Sequence, residues 1–179
     1  EEQLRDAIKD ADALIAGLED IDAETINRAE KLKVISRYGV GYDKVDLAAA
    51  RQKGIQVTIT PGANGDSVAD LAVALMLDVA RSVTIMDGSI KARSQKRPQG
   101  LEMFEKTLGI IGAGRIGQGV GRRCRGFNMK ILAYDVFEYE SFKKETGAEY
   151  VDFETLLRES DFITVHAPLT EETHNMIST

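Results

Sequence analysis

Three glycines constrain this chain more than any other feature. The run Thr107-Leu108-Gly109-Ile110-Ile111 is short and apolar, and it breaks into Gly112-Ala113-Gly114-Arg115-Ile116-Gly117. Ile116, Val120, Cys124 and Phe127 then recur at spacings that keep one helix face apolar. A second run, 130–134, ends in Asp135. Strand, glycine turn, helix, second strand and an acid about 20 residues on is the order that binds a dinucleotide. Gly112 permits the tight turn, Gly114 leaves the backbone open to a pyrophosphate, and Gly117 lets the helix pack close to the strand. The free N–H groups and positive dipole end of the helix, which begins with Arg115 and Ile116, face the anion. Asp135 accepts hydrogen bonds from ribose hydroxyls and repels a 2′-phosphate, and Val136 and Phe137 offer no cation to receive one. The expected cofactor is therefore NAD rather than NADP. Glycines also mark ordinary tight turns, but here every flanking element falls where the nucleotide reading requires it.

The rest of the chain alternates in the same way. Helical segments are expected at 2–9, from Asp22 through Ala29, and at 44–52. Short buried strands are expected at Ala13–Ala16, 32–36 and 55–59. Beyond Asp135, a helix at Glu140–Thr146 stops at Gly147. A strand at 149–151, a helix to Glu159 and a strand at 161–165 follow. Such alternation predicts an α/β fold of parallel sheets with helices on both faces. The loop 60–66 carries Pro61, Gly62, Asn64 and Gly65 and is the expected boundary between a domain at 1–62 and a second at 63–179. Ser67 then offers an N-cap with Asp70 in the capping-box position. The helix 68–83 is apolar on most sides and is expected to be buried between the two domains. The polar stretch 94–99 connects it to the nucleotide fold.

Two further turns lie at carboxyl strand ends, where open α/β sheets bind ligands. Gly39-Val40-Gly41 could present its N–H groups to a carboxylate, or its glycines could simply allow the turn. Arg37 beside it reads as an anion clamp or as a surface charge. At His166-Ala167-Pro168-Leu169-Thr170, Pro168 fixes the backbone direction and His166 reads as a structural hydrogen-bonding residue. No His, Cys and carboxylate cluster has metal-ligand spacing.

The net charge of −6 over 179 residues argues against nucleic acid or an anionic membrane as the main partner. Arg122, Arg123 and Arg125 read as a solvated helix face. Cys124, the only cysteine, falls on the apolar stripe and reads as core. The longest apolar stretch, 71–77, lies between Asp70 and Asp78 and is too short to span a bilayer. A cytoplasmic protein is expected. The sequence opens on Glu1 without Met and reads as a processed or excised piece.

Four segments together resemble the D-isomer-specific 2-hydroxyacid dehydrogenases, in particular the D-3-phosphoglycerate dehydrogenase type: 32–46, 60–80, 107–135 and 161–177. The resemblance implies a partial flavodoxin-like substrate domain followed by the first half of a Rossmann dinucleotide-binding domain. It implies that Gly39, Val40 and Gly41 offer N–H groups to the substrate carboxylate and that Arg37 lies near a distal anionic group. Thr60 would line the nicotinamide side. Arg115 and Ile116 would meet the pyrophosphate, Asp135 the ribose, and Ala167, Pro168 and Thr173 would flank the cofactor. The implied activity is hydride transfer between NAD and C2 of a small D-2-hydroxy or 2-keto acid, possible substrates including 3-phosphoglycerate of serine biosynthesis. A homodimer is implied as well. In the family a His paired with a carboxylate carries the proton and an Arg polarises the substrate carbonyl and holds its carboxylate, all further along the chain than Ile177, so no catalytic residue is assigned here. The alternative is a non-catalytic, truncated NAD-binding or assembly module. Three positions depart from the family pattern: Lys44 replaces a frequent Asn, Glu105 a common Gly and Ala113 a usual Leu.

Overall fold

Short apolar runs separated by amphipathic helices build two parallel sheets. The computed structural model describes residues 2–95 and 97–178. Lys96, within the polar stretch 94–99, and both terminal residues lie outside the described residues. The chain divides into two compact units, Glu1–Asn64 and Gly65–Thr179.

The first unit runs α1 (Glu2–Ala7), β1 (Ala13–Ala16), α2 (Ala23–Arg28), β2 (Val34–Arg37), α3 (Leu47–Gln52) and β3 (Gln56–Thr58). Its strands are parallel in the order β1-β2-β3, with Leu14 opposite Ile35 and Ile35 opposite Val57. The helices start where acids can cap them. Asp22 Oδ1 accepts the Thr25 N–H at 2.8 Å and Asp46 Oδ1 accepts the Ala49 N–H at 2.9 Å. Ile8, Ile21, Ile26, Ile35 and Ala50 form one core. That core lies on a single face of the sheet, and Ile15, pointing the other way on β1, is exposed.

The second unit runs α4 (Gly65–Arg81), α5 (Val83–Lys91), β4 (Thr107–Ile111), α6 (Arg115–Cys124), β5 (Lys130–Tyr134), α7 (Glu140–Thr146), β6 (Glu149–Tyr150), α8 (Phe153–Glu159) and β7 (Phe162–Val165). Its sheet is parallel in the order β6-β5-β4-β7. Here both faces are covered. Leu108, Ile110 and Ile131 pack with residues of α4, α6 and α7, while Ile111 and Leu132 pack with Leu156 of α8. The chain leaves β4 toward β5 and comes back to β7 on the other side. The carboxyl end of β4 is thus a topological switch point, where α/β sheets hold ligands.

The helical region before β4 departs from the sequence expectation. The helix starts at Gly65, so Ser67 lies inside it and cannot be its N-cap. It ends at Arg81 because Ser82 takes a left-handed conformation (φ 53°), and α5 follows as a separate helix. Nor is it buried all round. Ala69, Met76 and Ala80 are buried, whereas Leu71, Leu75 and Val79 are 58%, 55% and 77% exposed. One face packs on α6, where a Cβ on Gly119 would already lie 3.1 Å from the Ala69 methyl, and the apolar residues of the other face lack that cover. Arg123, expected to be merely solvated, ties these helices together through ion pairs with Asp66 at 3.2 Å and Asp70 at 2.5 Å.

Candidate functional site

The three glycines of the turn do three different jobs. Gly112 sits at φ +89°, and a Cβ there would lie 2.6 Å from both the Ala167 nitrogen and the His166 carbonyl carbon. A Cβ on Gly117 would collide with the Gly112 carbonyl oxygen, so α6 can approach the turn only with glycine there. Gly114 differs, because a Cβ on it would meet nothing within 4 Å. It is the N-cap of α6 in extended conformation, and no side chain caps that end of the helix. The backbone is therefore exposed where the helix dipole is positive.

A cavity of about 540 Å3 opens at this point. Gly112 and Gly114 line one side, Tyr134, Asp135 and Val136 a second, and the loop beyond β7 a third through His166, Ala167, Pro168, Thr170 and Thr173, with Met176 beyond it. Asp135 follows directly on β5 and is half-buried, and its Oδ1 accepts the Phe137 N–H at 3.1 Å. The His166 N–H donates to the Ile111 carbonyl at 2.7 Å, extending the β4–β7 ladder. Its ring Nε2 lies 2.8 Å from the Thr164 hydroxyl, and burial pushes the imidazole pKa down. The Thr173 hydroxyl donates to the Pro168 carbonyl at 2.5 Å and accepts the Thr170 N–H at 2.8 Å. Thr173 thus braces the loop wall.

The structure brings Gly112, Gly114, Asp135, Ala167, Pro168 and Thr173 to one cavity. Arg115, Ile116 and Gly117 lie on the first turn of the helix that starts at its wall. Arg115 is exposed, and among the described residues its guanidinium has no partner. Sequence reasoning assigned no role to Tyr134 or Met176 as cavity residues. Tyr134 was legible as the strand end before Asp135. Met176 carried no signal, since it reaches the cavity through the fold of the terminal loop.

In the first unit, Arg37, Gly39, Val40, Gly41 and Thr60 also come together. Arg37 as a surface charge is corrected: it is only 5% exposed. Its Nε donates to the Gly41 carbonyl at 2.9 Å and its Nη1 to the Ala16 carbonyl at 3.1 Å, so the guanidinium braces the glycine turn. Gly39 takes φ +144°, and its N–H donates to the Thr60 hydroxyl at 3.2 Å and to the Arg37 carbonyl at 3.0 Å. That amide is therefore engaged within the turn. Among the described residues no acceptor takes the Val40 or Gly41 N–H. These two amides are what the turn can offer an anion. Among the described residues there is no cluster of His, Cys and carboxylates able to hold a metal ion, and no helix is long and apolar enough to cross a membrane.

Comparison with known proteins places these features in context. Residues 73–179 match the family described as D-isomer specific 2-hydroxyacid dehydrogenase, NAD binding domain. The chain is 45% identical to a glyoxylate reductase of Thermococcus litoralis, over 97% of this chain and 56% of that protein. It is 43% identical to a D-3-phosphoglycerate dehydrogenase of Archaeoglobus fulgidus, over 99% of this chain and 34% of that one. Among solved structures, D-lactate dehydrogenase from Aquifex aeolicus complexed with NAD and lactic acid superposes with a TM-score of 0.83 at 33% identity, covering 97% of this chain and 53% of that one. The chain spans about half the length of the glyoxylate reductase and about a third of the phosphoglycerate dehydrogenase.

Proposed function

This chain belongs to the D-isomer specific 2-hydroxyacid dehydrogenase family, and from that premise we propose that its second unit holds NAD in the cavity between the glycine turn, Asp135 and the loop after β7. The observation that carries the proposal is the empty space at Gly114, bounded by an uncapped helix end and facing the same cavity as Asp135. A pyrophosphate has room and N–H donors there. The Asp135 carboxylate is placed to accept from ribose hydroxyls and to repel a 2′-phosphate. Arg115, with no partner among the described residues, is free to meet phosphate. Ala167 and Pro168 supply an apolar wall, and Thr173 keeps that wall in place.

When bound, the nicotinamide supplies a hydride acceptor or donor for C2 of a small D-2-hydroxy or 2-keto acid. The amides of Val40 and Gly41 would bind a carboxylate of that acid, and Arg37 would hold the turn that presents them. Glyoxylate, hydroxypyruvate and a 3-phosphoglycerate-derived acid are the substrate class to test, in keeping with serine biosynthesis for the last. We read the protein as cytoplasmic and as a homodimer, the exposed Leu71, Leu75 and Val79 of α4 supporting the latter.

Titration of NADH, followed by its fluorescence enhancement, tests the cofactor reading. Asp135→Ala is expected to weaken NADH binding at least tenfold and to narrow the preference over NADPH, whereas unchanged NADH affinity would overturn the ribose role. Turnover with glyoxylate or hydroxypyruvate is a separate readout: NADH binding without turnover would favour the non-catalytic binding or assembly module.

A further inference from the structure

Asp135 is not the only charge around the loop that reads the ribose. Residues 135–139 connect β5 to α7. Near one end, the Asp135 carboxylate accepts the Phe137 N–H. At the other, the Tyr150 hydroxyl of β6 accepts the Tyr139 N–H at 3.1 Å. Val136 and Phe137 between them are exposed, so hydrogen bonds rather than packing fix the loop. Burial raises the Tyr150 hydroxyl pKa against the opposing pull of the Tyr139 N–H, and the charges of Asp135 and Glu138 add to the rise, so each carboxylate lies within electrostatic reach of that hydroxyl. Lys143 of α7 stands over the same tyrosine, its Nζ 5.7 Å from the ring centre. That ammonium is paired with two carboxylates, 2.7 Å from Glu138 Oε2 and 2.7 Å from Glu140 Oε1.

We propose that Glu138 and Glu140 form a lock on Lys143 that acts as a second determinant of cofactor choice, beside Asp135. The inference rests on the NAD reading above. An adenosine 2′-phosphate entering at the ribose would meet the Asp135 carboxylate, which lines the cavity, with Glu138 three residues further along the same loop. The cation that could answer them is already neutralised by a pair of partners. Lysine suits such a role, because its flexible stem lets one ammonium move between acceptors. Removing Asp135 alone would take away one repulsion and supply no attraction. Releasing Lys143 as well would remove two further negative charges, Glu138 and Glu140, and free a cation beside the loop.

The test is a set of dissociation constants for NADH and NADPH, measured at low salt on the wild type, Asp135→Ser, the triple variant Asp135→Ser/Glu138→Gln/Glu140→Gln, and that triple variant with Lys143→Met added. Circular dichroism confirms folding of each; glutamine preserves the shape of the exposed glutamates. Asp135→Ser is expected to weaken NADH and to improve NADPH less than threefold. The triple variant is expected to bind NADPH at least tenfold tighter than Asp135→Ser, with the gain shrinking as salt is raised. Adding Lys143→Met is expected to abolish that gain. The lock is overturned if Asp135→Ser alone gives the full NADPH gain, or if the gain survives loss of Lys143. Failure of the wild type to bind NADH at all would overturn the cofactor reading, and this inference with it, before any variant is compared.

Discussion

Gly114 and Gly117 stand three residues apart and respond oppositely to a side chain. Gly117→Ala places a methyl group on the Gly112 carbonyl and 2.9 Å from an Ile110 methyl. It is expected to cost about 1–3 kcal/mol of stability in a urea titration. A Cβ on Gly114 meets no protein atom within 4 Å, so Gly114→Val should still fold, at a cost of about 1 kcal/mol for the poorer N-cap of α6, yet fail to bind NADH. Normal binding by that variant would make the turn purely structural. Glu105 shows strain of another kind. It takes φ +58° while its N–H donates to the Phe127 carbonyl at 3.0 Å. Glutamate tolerates that backbone poorly and glycine tolerates it freely, which agrees with the glycine that the family resemblance leads one to expect at this position. Glu105→Gly is expected to stabilise the second unit by about 0.5–1 kcal/mol, the relief of strain exceeding the added chain entropy of the unfolded state; a lower urea midpoint would refute it.

Among the elements, α2 shows how one cap ties a helix to pH. The Thr25 hydroxyl and N–H, followed by the Arg5 guanidinium, hold the Asp22 carboxyl down at about 2. A folded-state value below the unfolded one means the stabilisation is present above about pH 4 and is lost as pH falls through about 2. Asp22→Asn keeps an oxygen for the Thr25 N–H but removes the charge. Its deficit relative to wild type should be visible in urea midpoints at about pH 5 and should narrow toward about pH 2; a constant deficit would show that the charge contributes nothing. On α6, the buried Cys124 has its thiol pushed up to about 11 by desolvation. It is core, as its place on the apolar stripe suggested. The break between α4 and α5 was not legible, because Ser82 is no strong helix breaker and its left-handed backbone is set by what surrounds it. Asp78 accepts both the N–H and the hydroxyl of Thr84 at 2.7 Å, closing the turn just beyond the break.

For the whole molecule, ligand and partner binding become stability terms. NADH at about a hundredfold over its dissociation constant should stabilise the second unit by about 2.7 kcal/mol by mass action. The check is the melting temperature with and without NADH, and Gly114→Val should show no shift. The proposed homodimer rests on the apolar face of α4, and an exposed patch of this kind marks an interaction surface. In sedimentation, Leu71→Glu/Leu75→Glu should move the protein toward monomer, and an unchanged sedimentation coefficient would remove α4 from the interface.

The sequence by itself determined the strand–turn–helix–strand order, the separate roles of Gly112, Gly114 and Gly117, and the acid at Asp135. Each of these is local: the backbone angle, the missing Cβ and the strand-end carboxylate act within a few residues of where they are written. The parallel sheets were also legible, because alternation of short apolar runs with helices admits few other folds. Tertiary structure alone decided the rest. Arg37 reads as an anion clamp or a surface charge until β1 and the glycine turn place two carbonyls around its guanidinium. The exposed side of α4 reads as core until packing covers only its Ala69, Met76 and Ala80 stripe. Lys143 becomes a candidate for cofactor choice only once α7 and β6 bring it over Tyr150. Burial and charge pairing depend on residues distant in sequence, and no spacing along the chain records them.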